Sequence, residues 1–243
     1  DPAMADDPLV LETASLLKRG FSGLTKKKLS ELLSHPDQRV RQGAQFELAR
    51  RMSIGPLRDV FQSEQPLLPR LHALWALGQI ARRQPENESL QNIFPKALSD
   101  REAEIRGRAA ELVGELGLPV RTKLEQALAD ESPRVRFFAA LALARVGTAA
   151  SIPPLVTMLE ANNDTDPILR HAGVMALAAI GNTDAQALYR LTEHPLAAVR
   201  MAVLLALRRM KDPHVATFLS DPQSELGIEA ARAIYDVPLR DAL

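Results

Sequence analysis

The 243 residues carry 30 Lys and Arg against 30 Asp and Glu, with 46% hydrophobic residues, 4% aromatic residues and no cysteine. The charge balance removes any global electrostatic pull on nucleic acid or an anionic membrane. The missing thiols exclude disulfides, thiolate metal sites, a cysteine nucleophile and CxxCH haem attachment within this segment. No apolar run reaches the roughly 18 residues of a membrane span; the longest, Ala172 to Gly181, reads as one face of a helix.

Residues 1–23 read as a cloning remnant, Asp1-Pro2-Ala3-Met4, followed by a capping helix through Leu9, Leu11, Ala14, Leu16 and Leu17. The basic stretch Lys18, Arg19 and Lys26 to Lys28 reads as a solvated helix end. From residue 24 a phrase recurs: HPDQRVR at His35–Arg41, ADESPRVR at Ala129–Arg136 and EHPLAAVR at Glu193–Arg200. Weaker copies end at Arg70, Arg106 and Arg170, and a decayed one ends at Gly227. Each copy closes a polar turn and opens an Ala/Leu-rich helix. A period of about 30 residues in an all-helical pattern predicts stacked helical pairs.

The spacing predicts first helices (A) over Thr25–Ser34, Ile54–Gln62, Ser89–Ala97, Pro119–Ala129, Ser151–Ala161, Asp184–Leu191 and Pro213–Leu219. Second helices (B) are predicted over Gln38–Arg51, Leu67–Arg83, Ala103–Leu116, Pro133–Val146, Pro167–Ile180, Leu196–Met210 and Gln223–Tyr235. The repeats then span about 24–53, 54–87, 88–118, 119–148, 149–182, 183–211 and 212–236. The closing VPLRDAL, Val237–Leu243, reads as the start of an eighth, so a piece of a longer protein is expected. The predicted class is all-α, a right-handed α-α superhelix of about seven helical pairs occupying residues 24–243.

Counted from the repeat arginine, B-helix position 3 holds Ala44, Ala73, Ala109, Ala139, Gly173, Val203 and Ala230. Position 7 holds Leu48, Leu77, Val113, Leu143, Leu177, Leu207 and Ile234. With the aliphatic residue before the arginine (Leu68 in the second repeat), these form one stripe facing helix A. Gly117, Gly147 and Gly181 are expected to end B helices in a left-handed conformation. Arg41, Arg70, Arg106, Arg136, Arg170 and Arg200 lie off the stripe. Acids in the turns, Asp37, Asp100, Asp130, Asp164 and Asp166 among them, are expected to cap the B helices. Each arginine is expected to reach the next unit's acid, making a structural ladder.

This pattern resembles HEAT repeats, in particular the short subtype shared with phycobilin-lyase-like proteins. His35–Arg51, Leu68–Arg82 and Leu226–Leu239, in that order, resemble the HEAT segment of large planctomycete-type proteins. That resemblance implies a sorbosone- or glucose-dehydrogenase-like propeller before the repeats, a c-type haem segment after them, and an exported protein. Neither flanking part lies in this chain, so sugar oxidation and haem binding attach to none of its residues.

No catalytic or metal-binding motif emerges, and no cofactor is expected. His35 and His194 hold the same turn position before proline, which makes them turn residues. None of the five histidines precedes glutamate, unlike the His-Glu pairs that bind iron in HEAT-type deoxyhypusine hydroxylases. What remains is B-helix positions 1, 5 and 8, which point away from the stripe and, in a HEAT solenoid, line the concave side. They hold Phe46, Leu71, Trp75, Phe137, Leu141, Met175, Met201 and Leu205, with His171 among them. An outward apolar row marks an interaction surface unless curvature packs it between neighbouring B helices. The expectation is a non-catalytic scaffold binding a protein or peptide segment, including flanking domains of a parent protein, with no nucleic acid and no membrane span. The weaker alternatives are a HEAT-like alkylpurine DNA glycosylase, with Trp75 and Glu111 inward and Arg208 and Arg232 supplying charge, and a phycobilin-lyase-like chaperone.

Overall fold

The computed structural model describes residues 7–236, and among them every regular element is helical. Two compact units divide between Ile93 and Phe94.

The first unit contains α1 (Pro8–Arg19), α2 (Lys26–Leu32), α3 (Gln38–Arg50), α4 (Ile54–Gln62), α5 (Leu67–Ala81) and α6 (Glu88–Gln91). α2 packs on α3 and α4 on α5, while α3 meets α5 and α2 meets α4. That pairing, A on B within a repeat and like on like between repeats, is the stacking of a solenoid. The apolar stripe explains it: Val40, Ala44 and Leu48 of α3 and Ala73 and Leu77 of α5 are fully buried. The second repeat departs from the expected register. Leu68 is 48% exposed and Pro69 takes the buried place before the arginine. Because Pro69 lies in the first turn, its missing N–H costs no helical hydrogen bond.

The second unit contains α7 (Ile93–Ala97), which begins at the boundary, then α8 (Ala103–Glu115), α9 (Arg121–Ala127), α10 (Pro133–Val146), α11 (Ile152–Asn162), α12 (Pro167–Gly181), α13 (Ala185–Tyr189), α14 (Ala197–Met210) and α15 (Ser224–Asp236). Short 3₁₀ segments occupy Ala149–Ser151 and Pro213–Ser220. Packing runs α8 to α10 to α12 to α14 to α15, with α9 against α10, α11 against α12, and the second 3₁₀ segment against α15. Sequence spacing predicts one helix over Ser89–Ala97, whereas the chain breaks there into α6 and α7. Pro95 is the cause: it cannot donate to the Gln91 carbonyl four residues back, and its ring clashes there. The remnant Asp1–Met4 and the expected eighth repeat at Val237–Leu243 lie outside the described residues.

Helix ends follow local chemistry. Asp7, Asp37, Asp166, Asp184 and Asp212 each accept an N–H at a helix start. Gly117 is left-handed as expected (φ 62°), but Gly147 is extended and Gly181 stays helical, and left-handed residues instead include Asn163 and Lys211.

The arginines work differently from a simple ladder. In four repeats Nη1 donates to the turn carbonyls six and five residues earlier. Arg41 reaches His35 O and Pro36 O, both at 2.7 Å. Arg106 reaches Asp100 O at 3.0 Å and Arg101 O at 3.1 Å. Arg136 reaches Asp130 O at 2.7 Å and Glu131 O at 3.1 Å, and Arg200 reaches His194 O at 2.7 Å and Pro195 O at 3.1 Å. These carbonyls belong to tight turns that leave them without helical partners, and the fork of guanidinium donors meets two at once. The rest of the fork turns to the next repeat in three cases. Arg106 binds Asp130 through Nε (2.7 Å) and Nη2 (2.9 Å), and Arg200 binds Asp221 in the same way (2.7 and 2.9 Å). Arg41 Nε instead donates to His72 Nε2 at 3.2 Å. Arg70 donates to Phe61 O at 3.0 Å, and Arg170 pairs with Asp164 of its own turn at 3.2 Å.

The residue six before the arginine, or before Gly227 in the last repeat, holds the turn from the other side. Asp100, Asp130 and Asp221 accept the N–H two residues on. His35 and His194 do the same through Nδ1, at 3.0 and 3.2 Å. Asp130 and Asp221 therefore cap their own turn and receive the preceding repeat's arginine. Asp221 is held below the usual carboxylate range chiefly by its bonds to Arg200.

Candidate functional site

The outward row divides by unit. In the first, Phe46 is exposed at 49%, Trp75 is half-buried, and Leu71 is buried at 6%. Leu71 therefore leaves the row of solvent-facing positions. Trp75 meets the ring of His72 edge-on, with centroids 5.0 Å apart. His72 is itself buried. It donates from Nδ1 to Gln45 Oε1 (2.7 Å) and accepts from Arg41 at Nε2. Burial, with the Arg41 charge second, depresses its pKa to about 4, so the ring is neutral near pH 7.

In the second unit Phe137, Leu141, Met175, Met201 and Leu205 are all half-buried and His171 is exposed. α10, α12 and α14 lie side by side, and each of the five apolar side chains is partly covered and partly in water. Phe137 and Phe138 pack edge to face at 5.2 Å.

Part of this row opens into a cleft of about 570 Å³. α12 supplies Pro167, Arg170, His171, Val174 and Met175. α14 and the residue ending it supply Leu205, Arg208, Arg209 and Lys211. The floor is aliphatic and the walls are cationic. Arg170 is held by Asp164, and Arg208 by Glu229 and by Asp236 at 2.8 Å. Arg209 and Lys211 are exposed and make no ion pair among the described residues. Lys211 ends α14 in the left-handed conformation (φ 59°, ψ 37°), which costs a non-glycine residue about 1 kcal/mol. Sequence reasoning placed His171, Met175 and Leu205 here but missed Val174, Arg209 and Lys211, because the helix end that carries Lys211 had no signal in the apolar periodicity.

Another cleft, of about 650 Å³, lies among the turns around Asp130, Arg136 and Asp166. The carboxylates of Asp130 and Asp166 are already committed to capping there. Glu111, expected inward as an acid, is paired with Arg108, and Arg232 lies near Glu229 at 3.8 Å. Among the described residues no group of three or more His, Asp or Glu side chains is placed to hold a metal ion. No described helix is long and apolar enough to cross a membrane.

Paired helices stacked like on like, with an outward row that shares its side chains between packing and solvent, define an α-solenoid scaffold of the HEAT and armadillo kind. The chain belongs to the HEAT-repeat family, whose model matches residues 90–165 and 159–222, together more than half the chain. Among solved structures it is similar to YibA of Escherichia coli, at 21% identity, covering 90% of this chain and 86% of that one with a TM-score of 0.55. An engineered protein matches at 20% identity over 88% of this chain and 98% of its own, with a TM-score of 0.51. A designed armadillo repeat protein matches at 19% identity over 76% and 100%, with a TM-score of 0.48. Likenesses at this identity speak to the fold alone. No curated protein matches the chain.

Proposed function

We propose that this chain is a non-catalytic scaffold that docks a partner polypeptide on the outward faces of its B helices. The observation that carries the reading is the row Phe137, Leu141, Met175, Met201 and Leu205, half-buried across three adjacent helices and opening into the cleft between α12 and α14. Large apolar side chains left partly wet on neighbouring elements mark interaction surfaces, and methionine adapts its shape to what it meets. The resemblance to the planctomycete-type HEAT segment makes a flanking domain of a longer chain a natural partner.

A displayed library of random dodecapeptides tests the reading. Selection on the protein should enrich binders that are lost when Met175 and Leu205 are both replaced by serine. Each substitution removes a half-buried side chain, so its cost in stability is about 1 kcal/mol or less. Failure to enrich binders that distinguish the two proteins would sink the reading. A fall in binding matched by an equal loss of folded protein would assign the row to packing instead.

A further inference from the structure

We propose that the cleft between α12 and α14 takes an acidic, aliphatic peptide segment, whose carboxylates meet Arg209 and Lys211 while its side chains rest on Val174, Met175 and Leu205. This rests on the docking surface proposed above and adds the chemistry of the occupant. None of the described residues lining the cleft is acidic. Two of its cations are already neutralised, Arg170 by Asp164 and Arg208 by Glu229 and Asp236. Arg209 and Lys211 are left, a positive rim with no ion-pair partner among the described residues, in a chain of formal charge zero. Carboxylates are what such a rim selects, by charge complementarity that adds specificity more than raw affinity.

The floor argues for a peptide over a nucleic acid. Single strands are held by stacking bases on aromatic rings, and the described lining offers aliphatic side chains and one exposed imidazole. Lys211 lines the cleft from a left-handed helix end where glycine would sit without strain, which makes glycine the substitution that removes its charge without harming the fold.

The dodecapeptide selection separates this inference from the reading beneath it. Enriched sequences should combine aliphatic residues with an excess of Asp and Glu. Their affinity should fall about tenfold in Arg209→Glu/Lys211→Glu and weaken as salt rises. Lys211→Gly should lower affinity by a few-fold while raising the melting midpoint, which separates lost charge from lost fold. Binders that depend on Met175 and Leu205, but show no acidic excess or ignore the charge reversal, would leave the docking surface standing and overturn the acidic occupant. A selection that enriches nothing over the Met175→Ser/Leu205→Ser protein would remove both. If the oligonucleotide dT12 displaces the enriched peptide at equal concentration, the rim recognises polyanions in general and the peptide assignment is wrong.

Discussion

Two glycines on α8 should respond to the same substitution with opposite signs. A Cβ added to Gly114 falls 2.7 Å from both Cα and Cβ of Ala142 on α10. Carbon atoms rest at about 3.5–4.0 Å, so the helices must part by roughly 1 Å at this point. Overpacking of this kind costs about 1–3 kcal/mol, more than the roughly 1 kcal/mol gained by exchanging a helical glycine for alanine. Gly114→Ala should therefore lose up to about 2 kcal/mol. At Gly107 the added carbon meets Phe138 Cδ2 at 3.5 Å, an ordinary contact. Gly107→Ala should keep its propensity gain of about 0.5–1 kcal/mol. Far-UV circular dichroism during thermal unfolding reads both, with about 2–4 °C per kcal/mol expected for a chain of this size. Trp75, the single tryptophan, lies in the other unit, so its fluorescence should move less than the dichroism. A midpoint for Gly114→Ala that rises alongside Gly107→Ala would refute the close approach of α8 and α10.

His72 should make stability depend on pH. Its folded pKa, about 4, lies below the ordinary value near 6.5, so the unfolded chain takes up the proton first as pH falls. The contribution of the neutral ring is complete above pH 6.5 and is lost between 6.5 and 4, by up to about 3 kcal/mol. Urea midpoints across that range should fall in the wild type and flatten in His72→Gln; parallel curves would exclude His72 as the cause. Asp221→Ala should cost about 3 kcal/mol by stranding a nearly buried Arg200, measured by urea unfolding. A loss no greater than that of an exposed pair such as Arg39–Asp37 would refute the buried rung. Lys211→Gly should add about 1 kcal/mol to stability by relieving the left-handed backbone, and a lower melting midpoint would contradict it.

Much of the fold is local, and local structure is what a sequence encodes openly. The recurrence of a small residue three places and an aliphatic residue seven places after each arginine determined which face of α3, α5, α8, α10, α12, α14 and α15 is buried. A helix of 3.6 residues per turn leaves no other way to bring those positions together. Turn chemistry was equally plain: His35 and His194 accept an N–H as the aspartates do at the equivalent place. Other features depended on neighbours distant in sequence. Leu71 is buried and Phe46 is exposed although both hold outward positions of their helices, a difference set by tertiary packing and not by either residue. The arginines were legible as a series, but their main partners are backbone carbonyls, which carry no sequence signature. The cleft arose the same way. Arg170, Arg208, Arg209 and Lys211 are four basic residues among 30 along the chain; the packing of α12 beside α14 gathers them at one cleft, and Asp164 in the turn before α12 and Glu229 and Asp236 on α15 decide which two of them are paired among the described residues.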